Sequence, residues 1–341
     1  MEITKYNEIN NRKKHLISIS IYKMLDTYRP FEVYLNGLKK ILPFLTTNQE
    51  LFDIRVYFDN SCHKEVETCI KEYPNTEFYR FNYPKLRIND YHHGVFGKLL
   101  SQYPLFKDYY NYEYIYIHDV IHRPEWIDFK SINYIIENKI DTFFYLLPTG
   151  EEKNKISLPL LTKIKLDQSI FDNYLIDITN GKYNDLIHKM LTGPNFLVSY
   201  NYDVKFPYGM DSYFLNEIIY DKLCSGSVYV KITYDLLRLI HAMYKLNYDK
   251  IYKMDQRSRD LLDELRKLSE IKFNTNDMSV KGTIITLIIK FINKFGRHEF
   301  MKLFEENQQK VIALFYKFID KNKDKVISNT LSDLSEIIKL K

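Results

Sequence analysis

Between residues 16 and 147 the sequence switches repeatedly between short runs of β-branched and aromatic residues and stretches with helical spacing, and this alternation leaves few folds open. "LISISIY" (16–22) reads as a buried strand, "DIRVYFDNS" (53–61) as a second, "TEFYRFNY" (76–83) as a third, "YEYIYIH" (112–118) as a fourth and "DTFFYLLP" (141–148) as a fifth. Helical spacing falls between them, over residues 31–45, 64–72, 94–100 and 131–138, with Pro43 expected to end the first helix early. Strands and helices alternating at this spacing argue for βαβ units on a mostly parallel sheet flanked by helices, with ligands taken at the carboxyl ends of the strands. Asp59 and Asp119 both fall at such ends.

Beyond about residue 250 the pattern changes. All ten prolines lie at or before Pro207, and Leu261, Leu262, Leu265 and Leu268, then Val311, Ile312, Phe315, Phe318 and Ile319, keep helical spacing. The expected organisation is an α/β domain over residues 15–250 and an all-helical C-terminal region over 251–341. Residues 255–341 carry 17 basic against 13 acidic side chains. These read as the solvated face of packed helices, with a surface for protein contacts as the other reading.

Composition excludes several classes. A net charge of +5 with 27% charged residues gives no polyelectrolyte field of the kind that nucleic-acid binding needs. Cys62, Cys69 and Cys224 are odd in number and scattered, so neither a disulfide framework nor a zinc site follows, and a reducing, cytoplasmic setting is expected. The longest apolar stretch near the C-terminus, "GTIITLIIKFI" (282–292), is interrupted by Lys290 and is too short to span a bilayer; no secretory leader is expected at the charged start. Walker, Gly-x-Gly-x-x-Gly, Gly-x-Ser-x-Gly and His-Glu-x-x-His motifs are absent, so kinase, dinucleotide dehydrogenase, hydrolase and zincin chemistries lack their mechanical parts.

Six pieces in order carry a resemblance: "SIYKMLDTYRPFEVYLNGL" (20–38), "VYFDNS" (56–61), "HHGVFGKLL" (92–100) ahead of "YEYIYIHDVIHRP" (112–124), "LTGPNFLVSY" (191–200) and "YGMDSYFLNEIIYDKL" (208–223). Together they resemble the GT-A (Rossmann-like) glycosyltransferases, most closely the group found in large DNA viruses, over about residues 15–225. The resemblance implies sugar transfer from a nucleotide-sugar donor to a glycan or protein acceptor, in the host cytoplasm or virion for a viral member. A fold kept as a catalytically inactive binding or virion-associated module is the alternative.

Carried over, Asp119 matches the first acid of the family's Asp-x-Asp motif. Ile121 stands where the second acid belongs and cannot coordinate a metal. A divalent cation, Mn²⁺ or Mg²⁺, would then rest on Asp119 with help from His118 or His122, weakly or not at all, and Arg123 would help neutralise the leaving diphosphate. Asp211 matches the acid beside the acceptor that deprotonates the attacking hydroxyl; a helix-start cap would also explain it. Tyr22 and Arg29 in the opening piece, Asp59, His93 and Gly193 match positions around the donor, while strand ends, loops and turns are the plain readings of Asp59, His93 and Gly193. His241, on a mostly apolar helix, reads as a core histidine.

Overall fold

The computed structural model describes residues 1–23, 30–48, 50–86, 94–108, 110–120, 124, 127–147, 155–186, 210–232, 256, 260 and 326–328. The chain divides into two units, residues 1–144 with 157–229 and residues 145–156 with 230–341.

The strands are β1 (Glu2–Tyr6), β2 (His15–Ile21), β3 (Phe52–Asp59), β4 (Glu77–Asn82), β5 (Tyr114–Asp119), β6 (Thr142–Leu147), β7 (Lys155–Thr162) and β8 (Val228–Ile232), and they lie in the order β1-β4-β3-β2-β5-β7-β6-β8. β4, β3, β2 and β5 form a parallel block, while β1 on β4 and β7 on β5 run antiparallel. The block is Rossmann-like, as the alternation predicts: the chain builds outward from β2 through β3 to β4, then returns to β2's other side with β5. Its strands are buried along nearly their whole length because helices cover both faces, so β2 ("HLISISI") and β3 ("FDIRVYFD") lose the inside–outside alternation of half-exposed strands.

The helices of this part are α1 (Phe31–Asn48), α2 (His63–Glu72), α3 (Gly94–Leu100), α4 (Phe129–Glu137) and α5 (Gln168–Thr179), followed by a short α6 (Met210–Tyr213), a π-helical turn over Phe214–Ile218, and α7 (Tyr220–Leu223). α1 departs from expectation, since it runs through Pro43 to Asn48. A mid-helix proline costs about 3 kcal/mol. Against that, Leu38, Ile41, Leu42 and Leu45 are fully buried on one face, each contributing on the order of 1.5–3 kcal/mol. The Thr46 hydroxyl also donates to the carbonyl oxygens of Leu42 and Pro43, at 2.9 and 3.0 Å, securing the turn after the proline. β1, β7, β8 and α5 are additions to the expected set.

Most of the helices expected in the C-terminal region lie outside the described residues. Gln256 and Asp260 are helical and joined by a 2.7 Å side-chain hydrogen bond. Val326–Ser328 form a short strand, β9, the one departure among the described residues from an all-helical region.

At the amino edge of the parallel block, a buried ionic cluster fastens the N-terminal segment. Glu77, at the start of β4, accepts from Arg55 Nε on β3 at 2.9 Å and from Arg12 Nη2 at 2.7 Å, and Lys5 Nζ lies 3.2 Å from it. Arg12 also donates to the Tyr112 hydroxyl (2.9 Å), which donates to Asp53 on β3 (2.7 Å). Burial alone would raise the Glu77 carboxyl, but hydrogen bonds from the two arginines and their charges outweigh it and hold the group below its usual range.

Candidate functional site

The register of the parallel block decides what meets at its other edge. Ser20 pairs with Asp119 and Ile21 with Phe58, so Tyr22 and Asp59 follow at one level while Asp119 stands two residues short of it on the other side of β2, all three at the carboxyl ends of neighbouring strands. β2 and β5 flank the point where the chain order reverses, which is where open α/β sheets take ligands. Asp59 and Asp119 stand two strand spacings apart, roughly 10 Å between strand axes.

Asp59 is buried, and its Oδ1 accepts from the Ser61 backbone N–H at 2.8 Å, opening a single 3₁₀ turn over Asn60–Cys62. Its backbone carbonyl accepts from the Cys62 thiol at 3.1 Å. One of its carboxylate oxygens is thus engaged in capping.

Asp119 is half-buried at the end of β5. Its neighbour Val120 is held by α1: a Cβ on Gly37 would overlap the Val120 carbonyl oxygen, so only glycine lets the helix backbone approach this closely. α3 makes the same kind of approach to Tyr22, whose Cβ would overlap a Cβ on Gly97. The residue after that glycine, Lys98, reaches Asp211 at 3.3 Å.

Asp211 lies in the first turn of α6 and is only 7% exposed. α5 fixes this short helix, since the Tyr174 hydroxyl donates to the Met210 carbonyl at 2.7 Å and its ring packs on Phe214 with centroids 4.4 Å apart. Phe214 opens the π-helical turn, a feature that often re-aims side chains at functional sites.

Tyr22 ties these pieces together. It is 3% exposed and packs its ring on Tyr34 of α1 with centroids 5.1 Å apart. Burial above all, then Tyr34, Asp119 and Asp211, push its phenol well above the usual range. Two carboxylates from segments about ninety residues apart in sequence therefore act on one buried phenol. Lys98, ion-paired with Asp211, brings a cation to the same group, and ionisable side chains perturbed by burial and by one another make this edge a candidate for a functional site.

Of the residues singled out from sequence, Tyr22, Asp59, Asp119 and Asp211 are placed on this edge or beside it, and the structure brings Tyr22, Asp119 and Asp211 together. Arg29, His92, His93, Ile121, His122, Arg123, Gly193 and His241 lie outside the described residues. His118 corrects the expectation that it assists Asp119. It is a β5 residue, 1% exposed and stacked on Tyr116 at 5.7 Å, and successive strand residues point to opposite faces, so the two side chains cannot share one cation. Sequence reading missed Lys98, Gly97, Gly37 and Tyr34. A glycine in the interior of the "GVFGKLL" helix was the available signal, because it costs helix stability unless another chain comes close.

The described residues do not suit a divalent cation. Asp211 is ion-paired with Lys98, Asp59 has an oxygen on the backbone, and no three His, Cys, Asp or Glu side chains cluster among the described residues. No described helix is long and apolar enough to cross a membrane.

No protein-family model matches the chain, and no curated protein matches it by sequence. Among solved structures, 4-diphosphocytidyl-2C-methyl-D-erythritol synthase from Anaerococcus prevotii is similar over 70% of this chain and 96% of that one, at 11% identity and a TM-score of 0.34. A likeness of that size adds nothing to what the strand order establishes.

Proposed function

We propose that this chain is a GT-A-like transferase that binds a nucleotide-sugar donor at the carboxyl edge of the parallel block and passes the sugar to a hydroxyl of a glycan or protein. The observation that supports this reading is the gathering of Asp119, Asp211 and Lys98 about Tyr22 beside the point where the strand order reverses. In this reading Tyr22 forms a wall of the donor cleft, Asp119 binds polar groups of the donor, and Asp211 takes the proton of the attacking hydroxyl. The resemblance also assigns Arg29, Asp59, His93, Gly193 and Arg123 to contacts with the donor.

A second reading, a binding module without turnover, draws on the Lys98–Asp211 ion pair, because a carboxylate oxygen already occupied by an ammonium is not presented to an attacking hydroxyl. Thermal-shift measurements of the full chain against a panel of nucleotide sugars, with and without Mn²⁺, test the proposal. A true donor at one hundred times its dissociation constant stabilises the fold by about 2.7 kcal/mol. Asp211→Asn should keep that stabilisation while abolishing transfer or donor hydrolysis. A panel in which no nucleotide sugar shifts the transition rejects the donor cleft, and donor binding without turnover by the wild type favours the binding module.

A further inference from the structure

We infer that Lys98 is the phosphate-binding cation of this cleft, and that its ion pair with Asp211 is a lock which a nucleoside diphosphate opens. The inference rests on the donor-cleft reading above and assigns that site a metal-free way of meeting the diphosphate.

Three observations carry it. Lys98 cannot drift away from the cleft, because the preceding Gly97 presses the α3 backbone onto Tyr22, at the carboxyl end of β2. Its ammonium lies 3.3 Å from Asp211 Oδ2, with side chains only 20% and 10% exposed, so the pair is shielded from water yet still open on one side. The acids near it do not assemble a divalent-cation site among the described residues, which leaves a lysine in the region where a diphosphate would need positive charge.

The chemistry then follows from competition for one ammonium. Without ligand, the Lys98 ammonium occupies Asp211 Oδ2. A diphosphate carries more negative charge than one carboxylate, so it draws Lys98 away. Asp211 Oδ2, released from the ammonium, can then face the acceptor hydroxyl when a donor is in place. In the transfer step the acceptor oxygen bonds to the anomeric carbon as that carbon's bond to the diphosphate oxygen breaks. The bonding pair leaves with the diphosphate, whose new negative charge faces Lys98, and the hydroxyl proton passes to Asp211. The arrangement couples the availability of the Asp211 carboxylate to donor occupancy.

Calorimetric titration of the full chain with UDP, GDP, CDP and ADP in EDTA tests this. The wild type should bind at least one of them without metal. Lys98→Met should weaken that binding about tenfold or more, as expected for loss of a charge-assisted contact, while Lys98→Arg should keep most of it. Asp211→Asn should tighten it, since the competitor for Lys98 is gone; a merely structural pair would give no tightening. Circular dichroism checks folding, and if Lys98→Met fails to fold, Lys98→Arg and Asp211→Asn decide. Unchanged affinity in Lys98→Met, or no tightening in Asp211→Asn, overturns the inference. Binding that appears only with Mn²⁺ also overturns it but leaves the donor cleft standing. No binding of any nucleoside diphosphate under either condition removes the donor cleft itself.

Discussion

The two edges of the parallel block treat charge in opposite ways. At the amino edge, Arg55, Arg12 and Lys5 meet Glu77, and Asp53 takes the Tyr112 hydroxyl, so each carboxylate is matched by donors at hydrogen-bond distance. At the carboxyl edge, Asp119 and Asp211 both push up the pKa of one buried phenol, and Lys98 pairs with Asp211. The first arrangement lowers the energy of the fold. The second is the one that, in the function proposed above, a ligand would meet. The contrast is between carboxylates enclosed by arginine, lysine and hydroxyl donors and carboxylates that act together on a buried phenol.

The most severe way to break this contrast is to empty the amino edge. Glu77→Ala leaves Arg55 buried beside an absent partner and should cost about 3–5 kcal/mol, read from urea denaturation. A cost below 1 kcal/mol would mean the cluster is ornamental. Acid titration sharpens the same point. The Glu77 carboxyl is held below its unfolded value, near 4.5, so its contribution is present above about pH 4.5 and fades as pH falls through the lower folded value. Glu77→Gln should therefore flatten the loss of stability below pH 4.5.

Gly97→Ala comes next. The added methyl group overlaps Tyr22, and overpacking of this kind costs about 1–3 kcal/mol. Because α3 also carries Lys98, the variant should lose nucleotide affinity beyond what its stability explains, measured by titration well below its unfolding temperature. Equal affinity would show that the position of α3 does not matter to the cleft.

The smallest effect is expected at Asp59. Asp59→Ala removes one cap on the Ser61 N–H and should cost about 1 kcal/mol, whereas Asp59→Asn, an equally good cap, should cost little. If Asp59→Ala matched Glu77→Ala in denaturation, the carboxyl edge would be structural too and the contrast would collapse.

The parallel block was legible in the sequence because β2, β3, β4 and β5 are dense in β-branched and aromatic residues and are separated by helices of ordinary spacing. β7 was hidden by Pro159, a residue that cannot donate to a ladder, and β1 by its polar "EITKY". α1 outran its proline because buried leucine and isoleucine side chains outweigh a lost hydrogen bond, a sum that local rules do not make. At the site, the strand-end acids were readable, since strand termini are set by local pattern. Lys98 was not, because its meaning comes from α6, more than a hundred residues away in sequence. The Arg55–Glu77 cluster was unreadable for the same reason: in "DIRVYFD" an arginine looks like a solvent-facing position, and only β4 beside it makes it a buried one.

β1 has one more consequence. It lies antiparallel along β4, and the chain leaves it through Asn7, whose backbone takes a left-handed turn and whose side-chain amide donates to the carbonyls of Ile70, Tyr73 and Thr76 at 2.9, 3.2 and 3.2 Å. Without β1, the outer strand of the sheet would be β4, "EFYRFN", presenting unsatisfied backbone groups next to Phe78, Tyr79 and Phe81. The first seven residues thus act as a guard against self-association, and a chain shortened by them would be expected to stack edge to edge and form concentration-dependent aggregates while the carboxyl edge of the parallel block stayed intact.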